Sequence, residues 1–192
     1  MNLSWSQIFR LGLVQMALGA IVVLTTSTLN RLMVVEFSLP ALLPGALVGL
    51  HYGIQLSRPR WGFRSDVGGN RTRWIIGGMI TLALGGVGAT YAVTLFALNY
   101  WLALSASILS YGMIGIGVGA SGTSLLALLA TATAANRRAA AATITWLMMI
   151  FGIALTAGVA GQFLDPYSPE RLMAVVSTIA ILAIVLTVLA IW

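Results

Sequence analysis

The sequence predicts an all-α integral membrane protein in which residues 1–192 form one bundle of six transmembrane helices, with the N-terminus and C-terminus both cytoplasmic. Composition gives the first reason. Apolar residues make up 59% of the chain and charged residues 7%, a balance that no soluble domain of this length hides in one core, so the bilayer is the solvent. Charge placement gives the second. Eight of the ten arginines lie before the first apolar stretch, between the second and third, or between the fourth and fifth. Arginine near the ends of spanning helices stays cytoplasmic because carrying it through hydrocarbon costs more than leaving it behind. Backbone groups in lipid must be satisfied within the segment, and the alternation of a barrel is absent, so the spans are helices.

About 20 mainly apolar residues cross roughly 30 Å of hydrocarbon. Such stretches run over 11–30, 39–57, 74–96, 101–130, 139–162 and 171–192. The first follows Arg10. It is too long for a signal peptide, and its Thr25–Thr28 run reaches Leu29, Asn30 and Arg31 without a small-residue cleavage site, so it is expected to remain as an uncleaved span. The second opens at Ser38, a helix-capping residue type, with Pro40 in the first turn and Pro44 one turn deeper, where a bend is expected. Its Gly45, Gly49 and Gly53 repeat every fourth residue and are expected to pack tightly inside the bundle, as are Gly112, Gly115, Gly117 and Gly119 of the fourth span.

Trp74 opens the third stretch, Tyr100 and Trp101 the fourth, and Trp192 closes the sixth, all at interfacial depth. The fourth stretch is about 45 Å long at 1.5 Å per residue and must tilt or project. Residues 131–142, with Asn136, Arg137 and Arg138, read as two helix ends around a tight basic turn. Trp146 lies about two turns inside the fifth helix, where packing is the expectation.

The net charge of +6 does not point to nucleic acid, because its arginines sit where topology requires them. The basic inner rim they form attracts anionic lipid. The absence of cysteine excludes disulfides and thiolate chemistry. The carboxylates Glu36, Asp66, Asp165 and Glu170 all lie outside span interiors, and Asp165 and Glu170 bracket Pro166 and Pro169 in a short outer loop. No catalytic residue and no protein-bound metal site is predicted, so the chain is not expected to be an enzyme.

His51 is the ionisable side chain nearest the centre of a span, about 4–5 Å from the helix midpoint. Burial at that depth is costly without a partner. A neutral imidazole there can hydrogen-bond to another helix, ligate the magnesium of a chlorophyll-type pigment, or serve transport; Gln55 shares its face at i+4. Asn30, Arg31 and Glu36 form an outer polar cluster, in which the five-residue spacing keeps Arg31 and Glu36 from facing each other on an ideal helix.

The segment from Arg58 to Arg71 reads as a cytoplasmic loop in which glycines allow a tight turn and Asp66 caps a helix or pairs with arginine. Its Gly62, Asp66, Gly69 and Arg71 resemble the G-x-x-x-D-[RK]-x-G-[RK]-[RK] signature between the second and third helices of major facilitator proteins, with Val67 and Asn70 departing at basic positions. A denser resemblance runs through Asn30–Glu36, Pro40–Gly45, Leu50–Tyr52, Arg58–Arg60 and Ser65–Gly69, and is similar to the PucC/LhaA bacteriochlorophyll-delivery branch of that superfamily.

The resemblance implies the amino-terminal six-helix half of a twelve-helix, major-facilitator-type bundle. By the same resemblance the protein is a non-enzymatic assembly factor or accessory subunit of a bacterial light-harvesting 1/reaction-centre complex in the inner, intracytoplasmic photosynthetic membrane. Light-harvesting 1 polypeptides, the reaction centre and lipids would be its partners, and bacteriochlorophyll and carotenoid its cofactors, with His51 the residue considered for binding. The alternative is a secondary transporter of a small organic solute, whose coupling acid would have to lie outside these residues.

Overall fold

The computed structural model describes residues 3–68 and 70–192, without the side chain of Asp66; every described element is helical. Among the described residues, five helical segments are long and apolar enough to cross a membrane, making this a multi-pass membrane protein. The first runs over Trp5–Val35 as α1 (Trp5–Val23), a π-helical turn (Leu24–Thr28) and α2 (Leu29–Val35). It starts earlier than hydropathy predicts because Ser4 and Gln7 form a reciprocal cap. The Gln7 amide donates to Ser4 Oγ at 3.3 Å and the Ser4 amide to Gln7 Oε1 at 2.8 Å. The π turn falls on the hydroxyl run, where Thr25 and Thr26 donate to the Val22 carbonyl at 3.0 and 2.8 Å and compete with the backbone ladder.

The second predicted span is the one that differs most. Its α-helix, α3, covers only Leu42–Ile54, followed by a 3₁₀ turn at Gln55–Ser57. Ser38 does not cap it; Ser38 lies in the preceding turn with φ 50°, in the left-handed region, and Ala41 occupies the cap position without a side-chain bond. The late start puts Pro44 in the first turn, where an amide has no intrahelical partner to lose, so the expected reason for a bend disappears.

The expected loop after it is partly helix. α4 spans Arg58–Val67, with Pro59 in its first turn; Pro59 lacks an amide to continue the ladder from α3, which accounts for the break. α5 (Arg71–Leu95) begins at Asn70, whose Oδ1 accepts from the Arg73 amide at 3.3 Å. α6 (Tyr100–Ala132) starts at Asn99, whose Oδ1 accepts from the Leu102 amide at 3.1 Å, and its 33 residues extend about 50 Å. A short turn leads to α7 (Arg138–Phe163), and α8 (Pro169–Ile191) is capped by Ser168, whose Oγ accepts from the Arg171 amide at 3.2 Å.

Packing is dominated by α5 on α6 and α1 on α7, with α8 against both α1 and α5 and α3 against α6. Small residues let the backbones meet. A Cβ at Gly117 would lie 2.5 Å from the Leu82 amide nitrogen, and one at Gly152 would lie 2.4 Å from the Met16 carbonyl oxygen. The α3 stripe behaves differently from the expectation of internal packing: Gly45, Gly49 and Gly53 are exposed, with no neighbour within 4 Å of an added Cβ.

The basic segments gather at one end. Arg137 lies over the Trp5 ring at 5.4 Å, Arg10 Nη2 donates to the Leu189 carbonyl at 3.1 Å, and Arg71 Nη1 donates to the Ala127 carbonyl at 3.3 Å and to the Thr131 hydroxyl. The start of α1, the end of α8, the α6–α7 turn and the start of α5 are thereby tied together.

Candidate functional site

A cleft of about 440 Å³ opens between α1, α3, α6 and α7. Gln15, Leu18, Gly19 and Val22 line it from α1, Val118, Gly122 and Leu126 from α6, and Trp146, Met149 and Ile153 from α7. His51, Tyr52, Gln55 and Arg58 supply its polar wall. The volume lies within the roughly 300–1,000 Å³ of small-molecule pockets, and the mainly apolar lining with few convergent polar groups is their usual chemistry. A larger cleft of about 540 Å³ lies between α4, α5 and α6, beside Trp61, Arg73 and Trp74. Among its described lining residues no polar side chain is fully buried, whereas the smaller cleft contains the fully buried His51, so the polar chemistry is concentrated there.

His51, Gln55 and Arg58 stand at i, i+4 and i+7, one face carried from α3 through the 3₁₀ turn. Arg58 Nη2 donates to Gln55 Oε1. Guanidinium only donates, so the Gln55 oxygen is the acceptor and its amide nitrogen faces His51 Nε2 at 2.8 Å as a donor. His51 Nε2 therefore accepts. The ring is neutral with its proton on Nδ1, and Nδ1 is buried without a hydrogen-bond partner among the described residues. The ring is 0% exposed and meets Tyr52 edge-on at 4.7 Å. On the opposite side, the His51 carbonyl sits where a Cβ at Gly115 would come within 2.8 Å, which fixes α3 against α6.

This arrangement does not fit pigment ligation by His51. A magnesium ligand needs an unprotonated ring nitrogen open to the macrocycle. Here Nε2 is occupied by Gln55, Nδ1 carries the proton, and the residue is fully buried. Trp146, expected to pack, instead lines the cleft and is 51% exposed. Arg58 is the site residue that the sequence reading passed over, although its spacing from His51 was the available signal.

The residues of the predicted cytoplasmic loop separate. Gly62 lies inside α4, where an added Cβ would approach Thr123 Cγ2 to 3.3 Å, so it serves packing on α6 rather than a turn. Arg71 opens α5 and bonds to α6. Gly69 and the Asp66 side chain lie outside the described residues. Around them, Trp61 Nε1 donates to Ser57 Oγ at 2.9 Å and its ring lies 5.7 Å from that of Trp74. At the other end, Arg31 and Glu36 are exposed, no described ion pair joins them, and Asn30 Oδ1 is buried without a hydrogen-bond partner among the described residues. Tyr167 lies near this cluster: burial raises its phenol pKa above the usual value, and Glu36 and then Glu170 add to the shift.

A multi-pass helical membrane protein with an amphipathic cleft is the class that these features define. The chain belongs to the family described as PUCC protein, whose model matches residues 28–192. It is 67% identical over 192 residues to the bacteriochlorophyll synthase 44.5 kDa chain of Rhodobacter capsulatus, covering 100% of this chain and 45% of that protein. It is 31% identical to Protein PucC of Rhodobacter capsulatus and 30% identical to Protein PucC of Cereibacter sphaeroides, each comparison covering 97% of this chain and 43% of the relative. The chain thus spans less than half the length of these relatives. No solved structure matches it.

Proposed function

We propose that this protein is a non-enzymatic assembly factor or accessory subunit for a bacterial light-harvesting 1/reaction-centre complex. The observation that supports it most is the family match over residues 28–192, with two relatives named PucC. In this reading the chain crosses the inner photosynthetic membrane six times as one bundle, α3 and its 3₁₀ turn completing the set, with both termini and the arginine-rich end in the cytoplasm.

The bundle offers helix-sized apolar surfaces suited to light-harvesting polypeptides. Leu147, Ile150, Phe151, Leu155 and Val159 form an exposed stripe along α7, and the bare glycines of α3 allow a second helix to approach. Bacteriochlorophyll or carotenoid would meet the exposed apolar faces of the bundle, without a bond from His51. The relative named as a bacteriochlorophyll synthase chain supports this pigment connection.

Purification from a phototrophic membrane in mild detergent tests the assignment. Light-harvesting 1 polypeptides and near-infrared absorption should co-elute with the protein. Uptake of a solute into pigment-free liposomes, with no antenna polypeptide retained, would replace this reading with a secondary transporter.

A further inference from the structure

We propose that the cleft takes an amphipathic anion, an apolar molecule carrying one carboxylate or phosphate, with the anionic group on Arg58 and the apolar body along Leu18, Val22, Met149 and Ile153. The proposal deepens the assembly reading by giving the cleft a ligand class, and it rests on that reading for the use of the cleft.

Charge in the cleft carries the argument. Arg58 is the one charged residue among the described residues that line it, with no carboxylate beside it. Arg58 is exposed at the edge of the cleft, so its guanidinium is open to an incoming ligand, and guanidinium forms its strongest contacts with carboxylate and phosphate. Arg58 is also held in place. Its contact with Gln55 Oε1 orients the guanidinium, the Gln55 amide is itself fixed by His51 Nε2 at 2.8 Å, and His51 is fully buried. His51 is thereby a positioning residue acting through Gln55, and Arg58 is the binding residue. Apart from Gln15 the other walls are apolar, which disfavours a small hydrophilic anion as the occupant.

Trp146 in the cleft wall provides the readout. The purified full chain in neutral detergent is titrated with a brominated fatty acid and its methyl ester, and separately with brominated phosphatidylglycerol and phosphatidylcholine. The difference in quenching between the wild type and Trp146→Phe reports occupancy of the cleft. The anionic member of at least one pair should bind about tenfold more tightly than its partner, the value expected for one charge-assisted contact. Preference within the first pair alone identifies a carboxylate ligand, and preference within the second a lipid whose phosphate is not neutralised by a headgroup cation.

Arg58→Ala should abolish the preference while leaving ester binding unchanged. His51→Phe should reduce it, and His51→Gln, which keeps an acceptor for Gln55, should restore it. Equal binding within both pairs, or a preference that survives Arg58→Ala, overturns the proposal. Unchanged ester binding shows that each variant is folded. Co-elution of antenna polypeptides, measured on the same samples, separates the two claims: its absence from the wild type defeats the assembly reading alone, and its persistence beside equal acid and ester binding defeats the anion site alone.

Discussion

The Tyr111 hydroxyl donates to the Thr25 carbonyl at 2.7 Å, joining the middle of α6 to the π turn of the first span. In that turn the Leu29 amide bonds to Leu24, one residue further back than an α-helix allows, so the Thr25 carbonyl loses its ordinary partner. Tyr111 supplies one from another helix. Tyr111→Phe should cost about 1–3 kcal/mol, the range for leaving a buried polar group short of a partner. Thermal unfolding in detergent checks this against Tyr91→Phe, since Tyr91 is exposed. Equal melting temperatures for the two variants would show that the link contributes nothing.

Glycine positions should divide sharply. Gly117→Ala places a methyl 2.5 Å from the Leu82 amide nitrogen, backbone that has no room to yield without moving α5 from α6. The yield of monodisperse protein should fall several-fold. Gly49→Ala meets nothing within 4 Å and should be neutral or slightly stabilising to the isolated chain through helix propensity. Size-exclusion profiles provide the comparison, and a normal profile for Gly117→Ala would contradict the packing described.

Orientation can be measured directly because the sequence has no cysteine. Single cysteines at Phe63 and Asn136 should react with an impermeant maleimide only from the cytoplasmic side, and those at Ala97 and Asp165 only from the opposite side. The reverse pattern would invert the proposed topology.

Tyr167 gives a pH dependence at the other end. Its folded-state pKa lies above the ordinary value of 10.0, chiefly through burial and then through Glu36 and Glu170. The folded state therefore holds this proton more tightly than the unfolded state. The associated stabilisation is complete below pH 10 and is lost as the pH rises through the folded pKa. Ultraviolet titration should show Tyr167 ionising late, and Glu36→Gln should bring it earlier. Indistinguishable titration curves for the wild type and Tyr167→Phe, after allowing for one fewer tyrosine, would contradict this placement.

Much of this architecture was legible because bilayer crossing imposes long apolar runs and arginine sorting. Local conflicts set the errors. Pro59, Gly62 and several arginines made 58–67 read as loop, yet proline is harmless in a first turn and Gly62 sits against Thr123 where α4 approaches α6. The glycines of α3 show the reverse: spacing revealed that they share a face, but not whether another helix covers it. At the site, Gln55 was visible as the i+4 neighbour of His51. Arg58 was hidden because charge near a span end already had an explanation in topology, and no spacing rule shows that Gln55 occupies the nitrogen a pigment would need.

The contacts of α1 also have a consequence for biosynthesis. Gly12 and Gly19 receive Met148 and Met149, so α1 seats against a helix synthesised more than a hundred residues later. During translation its small-residue groove must stay open in the lipid, or be held by a chaperone or insertase, until more than a hundred further residues have followed. Premature association of that groove with another nascent helix is the misfolding route to which this topology is most vulnerable.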